Sequence, residues 1–77
     1  MIAQIRSAVD LGDFTRRIRL QHGMTQRQLA VALGTTQRYV SELEAGKPKR
    51  ADERYFEILA KLGIALSAQS TSPVDDE

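Results

Sequence analysis

The sequence predicts an all-α fold, a compact bundle of four to five short helices followed by one short C-terminal β-strand. Three observations lead there. Glycines at 23, 34, 46 and 63 divide the chain into segments of helical length. Cap residues stand ahead of apolar residues spaced at the helical period. From Ile64 to Gln69 the apolar period drops to two.

The first helix starts at Ser7, with Asp10 three residues on, a hydroxyl cap followed by a carboxylate. Leu11, Phe14 and Ile18 recur on one face, and Gly23 stops the helix after Gln21 and His22. His22 is the only histidine, and in a last turn it suits the helix dipole better than a metal or catalytic role. The second helix opens on a capping box, Thr25 with Gln28, and Met24 can staple onto Leu29. Leu29, Ala30 and Leu33 face inward, and Gly34 ends a helix too short to be stable alone.

Thr36 caps a third helix, Gln37 to Ala45, that stops at Gly46. At about 100° per residue its stripes separate. Tyr39, Val40, Leu43 and Glu44 fall on the inner side; Gln37, Arg38, Ser41, Glu42 and Ala45 fall on the outer. A basic loop, Gly46-Lys47-Pro48-Lys49-Arg50, leads to Asp52 and Glu53, acids that favour the start of a fourth helix. That helix is apolar over more than one stripe (Tyr55, Phe56, Ile58, Leu59, Ala60 and Leu62), more than a small monomer buries. A lone strand over 64–69 needs a partner, either its equivalent in a second subunit or the residues Ile2 to Arg6. Phe56, Leu59, Ile64 and Leu66 are therefore the candidate contacts between two copies. The organisation is an N-terminal arm over 1–6, one helical domain over 7–63, a dimerising strand over 64–69 and an acidic tail over 70–77 expected to be disordered.

Composition narrows the chemistry. The 77 residues make one domain, and a chain this short retains only about 3–5 kcal/mol of stability from its core. With no cysteine, disulfides and thiolate metal sites are excluded, and one histidine disfavours a histidine-built site. No cofactor or metal is expected, and without clustered carboxylates or a phosphate-cradling glycine loop an enzyme is the weakest reading. No apolar stretch approaches the roughly 18 residues of a membrane span, and the first residues lack a signal core, so a cytoplasmic protein is expected. Net charge is only +1, but residues 16–50 hold eight basic and two acidic side chains, a balance of +6 between acidic ends. A basic middle suits a local polyanion site.

Two short helices joined by Gly34-Thr35-Thr36 form a helix-turn-helix. Residues 11–63 resemble the Cro/repressor-type (XRE) helix-turn-helix family, with a lambda-repressor-like fold, on Thr25-Gln26, Leu29-Ala30, Gly34-Thr35-Thr36-Gln37, Val40-Ser41 and Leu43-Glu44-Ala45-Gly46. Arg50, Tyr55-Phe56-Glu57-Ile58-Leu59 and Leu62-Gly63-Ile64 are similar to HipB-type antitoxins. The resemblance implies a DNA-binding transcriptional repressor, a homodimer on a palindromic operator, and a HipA-like serine/threonine kinase toxin as partner. A stand-alone phage- or plasmid-type regulator and a protein-interaction module on the same scaffold are the alternatives.

An α-helix fits the major groove, where base edges carry distinct donors and acceptors. The resemblance implies a base-reading glutamine at Gln37, whose amide can pair with adenine; Arg38 can fork onto guanine or pair with Glu42. Ser41 and Glu42 complete the base-facing set; the Ser41 hydroxyl can also reach phosphate, and Glu42 can accept from cytosine or only hold Arg38. Phosphate contacts are expected from Gln26 and Arg27 at the start of the second helix, from Thr36 and Tyr39, and from Lys47, Lys49 and Arg50 in the loop. Core packing suits Tyr39 equally well, and a solvated surface suits Gln26 and the loop. The resemblance further implies that Arg19 and Glu44 form a buried structural ion pair.

Overall fold

The computed structural model describes residues 1–74, so Asp75, Asp76 and Glu77 of the acidic tail lie outside the described residues. Each helix begins where a side chain takes up a free backbone N–H. In α1 (Ala8–Gln21) the Ser7 hydroxyl accepts from Asp10 N at 3.1 Å. In α2 (Gln26–Leu33) both capping-box bonds form: Gln28 N donates to Thr25 Oγ1 at 3.1 Å and Thr25 N to Gln28 Oε1 at 2.9 Å. Thr36 caps α3 (Gln37–Glu44) through Tyr39 N, and Asp52 caps α4 (Glu53–Lys61) through Tyr55 N, each at 3.0 Å. Ala45 is the C-cap of α3, so the helix ends one residue before the sequence pattern does.

The core is one cluster, Leu11 from α1, Leu29, Ala30 and Leu33 from α2, Val40 and Leu43 from α3, and Ile58, Leu59 and Leu62 from α4 and its end. Ile18, Met24, Tyr39, Tyr55 and Ile64 pack around it. In α1 the inward stripe runs through Leu11, Thr15 and Ile18 rather than through Phe14, which is only half-buried. Thr15 is fully buried because its hydroxyl donates to the Leu11 carbonyl at 2.9 Å, which satisfies its one donor within the helix.

Two glycines let α1 lie directly against the end of α3. A Cβ at Gly12, in the interior of α1, would collide with the Leu43 carbonyl oxygen and stand 2.9 Å from that of Glu44. Gly46 follows α3 with φ +80°, and a Cβ there would be 2.9 Å from Val9 Cα. α4 is fastened to the other side: Arg54 Nη2 donates to the Gly34 carbonyl at 3.1 Å and Lys61 Nζ to that of Leu33 at 3.4 Å. These cations sit at the C-terminal end of α2, where carbonyls lack helical partners.

The expected surplus of apolar surface on the fourth helix narrows to Phe56 and Ala60, which are exposed. Leu59, expected at a contact between copies, is 1% exposed and belongs to the core of its own chain. No strand forms among the described residues. The arm and the C-terminal segment do come together, with Met1, Ile2, Ile5, Phe14, Ile64 and Leu66 lining one groove. No backbone hydrogen bond joins them, so the pairing of 64–69 with Ile2 to Arg6 is not made; pairing across two copies needs the second chain. No described helix is long and apolar enough to cross a membrane.

Gly12→Ala would force two backbones apart, and no side-chain rotation relieves it. A loss of about 2–3 kcal/mol is expected, seen in thermal denaturation as a Tm lower by roughly 10–20 °C. Gly23→Ala, with open space around its Cβ and φ +65°, should lose only the cost of a left-handed alanine, about 1 kcal/mol.

Candidate nucleic-acid interface

Burying Val40 and Leu43 leaves the opposite face of α3 outward, and there Gln37, Arg38 and Ser41 are exposed. A helix measures about 10–12 Å across with its side chains, which fits a major groove about 12 Å wide. Arg27 at the start of α2 and Lys47 and Arg50 in the loop after α3 are exposed cations. The Thr36 hydroxyl already accepts from Tyr39 N, which leaves its O–H free to donate.

The back of this surface is set by Arg19. Its Nε and Nη2 donate to Glu44 Oε2 and Oε1 at 2.7 and 3.0 Å, and its Nη1 to the Met24 carbonyl at 2.9 Å. The side chains of Arg19 and Glu44 are 12% and 4% exposed. The hydrogen bond to Glu44 raises the pKa of Arg19 further above its usual value, against the opposing effect of burial. Gln26 joins them, its Nε2 donating to Glu44 Oε1 at 3.2 Å, so the amide expected at a phosphate is turned toward the ion pair. Arg16, Arg19, Gln26, Ser41, Glu44 and Ala45 line a cleft at this junction of α1, α2 and α3. Arg16 is exposed at its rim; the sequence counted it in the basic stretch without giving it a role.

Glu42 carries two cations. Its Oε2 accepts from Arg38 Nε at 3.3 Å, and its Oε1 lies 2.5 Å from Lys49 Nζ. Hydrogen bonds from Lys49 first and Arg38 second hold its carboxyl below the ordinary carboxylate value. Lys49 also lies 4.4 Å from the centre of the Tyr39 ring, within range of a cation–π contact. Tyr39 is half-buried on the core, and burial pushes its phenol upward. Gln37, Arg38, Ser41, Arg27, Thr36, Lys47 and Arg50 are thus exposed, whereas Gln26, Glu42 and Lys49 are engaged within the protein. Gly12 and Gly46 position the surface too. Their signal was an isolated glycine inside a helical pattern and one at its end.

The chain is similar to four known proteins or families. The helix-turn-helix family HTH_3 matches residues 16–68, more than half of the chain. An uncharacterized HTH-type transcriptional regulator, y4mF of Sinorhizobium fredii, is 30% identical over 66 residues, which span 86% of this chain and 87% of the relative. The structure of a HipA-HipB-O2-O3 complex contains a chain that superposes with a TM-score of 0.72 at 27% identity, over 92% of this chain and 100% of that one. The restriction-modification controller protein C.AhdI from Aeromonas hydrophila superposes with a TM-score of 0.62 at 26% identity, over 75% of this chain and 84% of its own.

A double-mutant cycle tests the ion pair. Arg19→Met or Glu44→Leu alone leaves a buried charge without its partner and should cost about 3–5 kcal/mol, enough to unfold much of a domain this small. The double variant should be more stable in urea than either single one, because no unpaired charge remains.

Proposed function

Because the chain belongs to the helix-turn-helix family of DNA-binding transcriptional regulators, we propose that it represses transcription by reading a palindromic operator as a homodimer, with α3 in the major groove. The carrying observation is the division of α3: Val40 and Leu43 are fixed in the core while Gln37, Arg38 and Ser41 are exposed on the opposite side. The Gln37 amide matches adenine N6 and N7, and the Arg38 guanidinium matches guanine O6 and N7. Arg27, Lys47 and Arg50 supply charge for the flanking phosphates, which fixes register without selecting sequence. Two-fold symmetry sets the half-sites about 34–36 Å apart, or a multiple.

We further infer a HipB-like antitoxin that regulates its own operon and restrains a HipA-like serine/threonine kinase. Supporting this are the superposition on a chain of the HipA-HipB-O2-O3 complex and a second, on a HipB-O4 20mer complex, with a TM-score of 0.72 at 25% identity. Exposed Phe56 on α4 and Leu66 beyond it, with half-buried Ile64, are apolar surface for a second copy or the kinase. A second reading is a stand-alone phage- or plasmid-type regulator without a toxin; the likeness to C.AhdI, a restriction-modification controller protein, shows that the same fold is not confined to HipB.

Binding to a duplex from immediately upstream of the gene, titrated against salt, tests the DNA reading. Wild type should bind tightly with a steep salt slope. Gln37→Ala/Arg38→Ala should lose roughly 10- to 1,000-fold on that duplex while keeping its weak binding to unrelated DNA. Equal weak binding by both proteins would reject base reading through α3.

Sedimentation and co-purification test the partners. A dimer at micromolar concentration, retained on a kinase encoded beside it, is the expected result. A monomer rejects the symmetric repressor, and a dimer that ignores the kinase favours the toxin-free regulator.

A further inference from the structure

We propose that Glu42 is a positioning residue of the DNA-reading surface, withholding Lys49 from the phosphate backbone and aligning Arg38 for a base. The proposal rests on the DNA reading above and deepens it. The basic loop holds three cations, and they are not equivalent. Lys47 and Arg50 are exposed, whereas the Lys49 side chain is 14% exposed, with its ammonium on Glu42 Oε1 and above the Tyr39 ring. An ammonium has three donors but one charge. Lys49 already has a carboxylate and an aromatic face, and moving it to a phosphate would leave the Glu42 charge unpaired beside a polyanion.

The loop is tied to Glu42 a second time, through Lys47 N donating to the Glu42 carbonyl at 3.0 Å. Pro48 stands between the two attachments and fixes its own φ. Lys47 and Arg50 are thereby presented from an anchored loop.

Arg38 is held differently. Its side chain is 88% exposed and meets Glu42 only through Nε. The terminal Nη1 and Nη2 groups remain free to donate in parallel to an acceptor pair such as guanine O6 and N7. An exposed pair of this kind is weak, so it biases the guanidinium without locking it. A carboxylate on a DNA-facing helix would otherwise repel phosphate. Here its charge is matched by the two cations it organises.

The test measures salt slopes for wild type, Lys47→Ala, Lys49→Gln and Glu42→Gln, on the upstream duplex and on a scrambled duplex of equal length. Circular dichroism checks that each variant is folded. A phosphate contact contributes about 0.9 to the slope. Lys47→Ala should flatten the slope by about that amount, and Lys49→Gln should leave it unchanged. Glu42→Gln, which keeps the side-chain shape, frees Lys49 and should steepen the slope by about 0.9. It should also tighten binding to the scrambled duplex more than to the upstream one, so that selectivity falls. A Lys49→Gln slope as flat as that of Lys47→Ala overturns the proposal. So does a Glu42→Gln variant with unchanged slope and selectivity. Failure of wild type to bind either duplex removes the DNA reading and this proposal together, whereas selective wild-type binding with either contrary variant result removes this proposal alone.

Discussion

The guanidinium of Arg19 uses its donors in two directions, a fork onto Glu44 at the end of α3 and a single bond to the Met24 carbonyl in the turn before α2. Gln26, the first residue of α2, completes the set on Glu44. Three helices are thereby held in register by one charged contact. Apolar packing alone would tolerate rotation of a helix only eight residues long, because dispersion contacts have little direction. A bidentate arginine–carboxylate pair has a plane and two fixed lengths. It fixes the azimuth of α3, and with it the side chains that face outward. Glu44 lies beneath the proposed DNA-facing surface, and pairing it with Arg19 neutralises a charge that would repel phosphate.

The ion pair requires α1 and α3 to be close, and two glycines allow it. Gly12 gives up helix propensity so that the carbonyls of Leu43 and Glu44 can rest on α1. Gly46 turns the chain away immediately afterwards, against Val9. In a chain of 77 residues without cysteine, this closeness replaces the staple that small domains usually carry. The fourth helix supplies the remaining closure. Ile58, Leu59 and Leu62 seal the core from below, while Arg54 and Lys61 occupy the last carbonyls of α2. One helix thus finishes both the apolar and the polar ends of the helix-turn-helix, and it still offers Phe56 to the outside.

The two faces of the protein follow from this division of labour. On one side, exposed cations and amides surround α3. On the other, the arm, Phe14 and the segment after α4 line an apolar groove. Behind the first face, Arg19 and Gln26 are hydrogen-bonded to Glu44, and Arg19 also to the Met24 carbonyl. The second is made of terminal segments that share no backbone hydrogen bond with each other.

What the sequence determined by itself was local. Ser7, Thr25 and Thr36 as caps, the acids at the start of α4, the four glycine stops and the outward stripe of α3 each depend on residues within about one helical turn, and local hydrogen bonds leave a local signature. Arg19 and Glu44 were readable only through family resemblance, because no periodicity links residues 25 apart. Tertiary structure alone decided the rest. It chose Thr15 over Phe14 for the core, put Leu59 inside and Phe56 outside, turned Gln26 toward Glu44, and separated Lys49 from Lys47 and Arg50. In each case the residue type suited two roles, and the choice depended on which surface another helix or loop brought against it. The three cations of the basic loop looked equivalent in one dimension. Folding brings Lys49 back over Tyr39 and onto Glu42, and that contact divides the loop into cations that are free and one that is not.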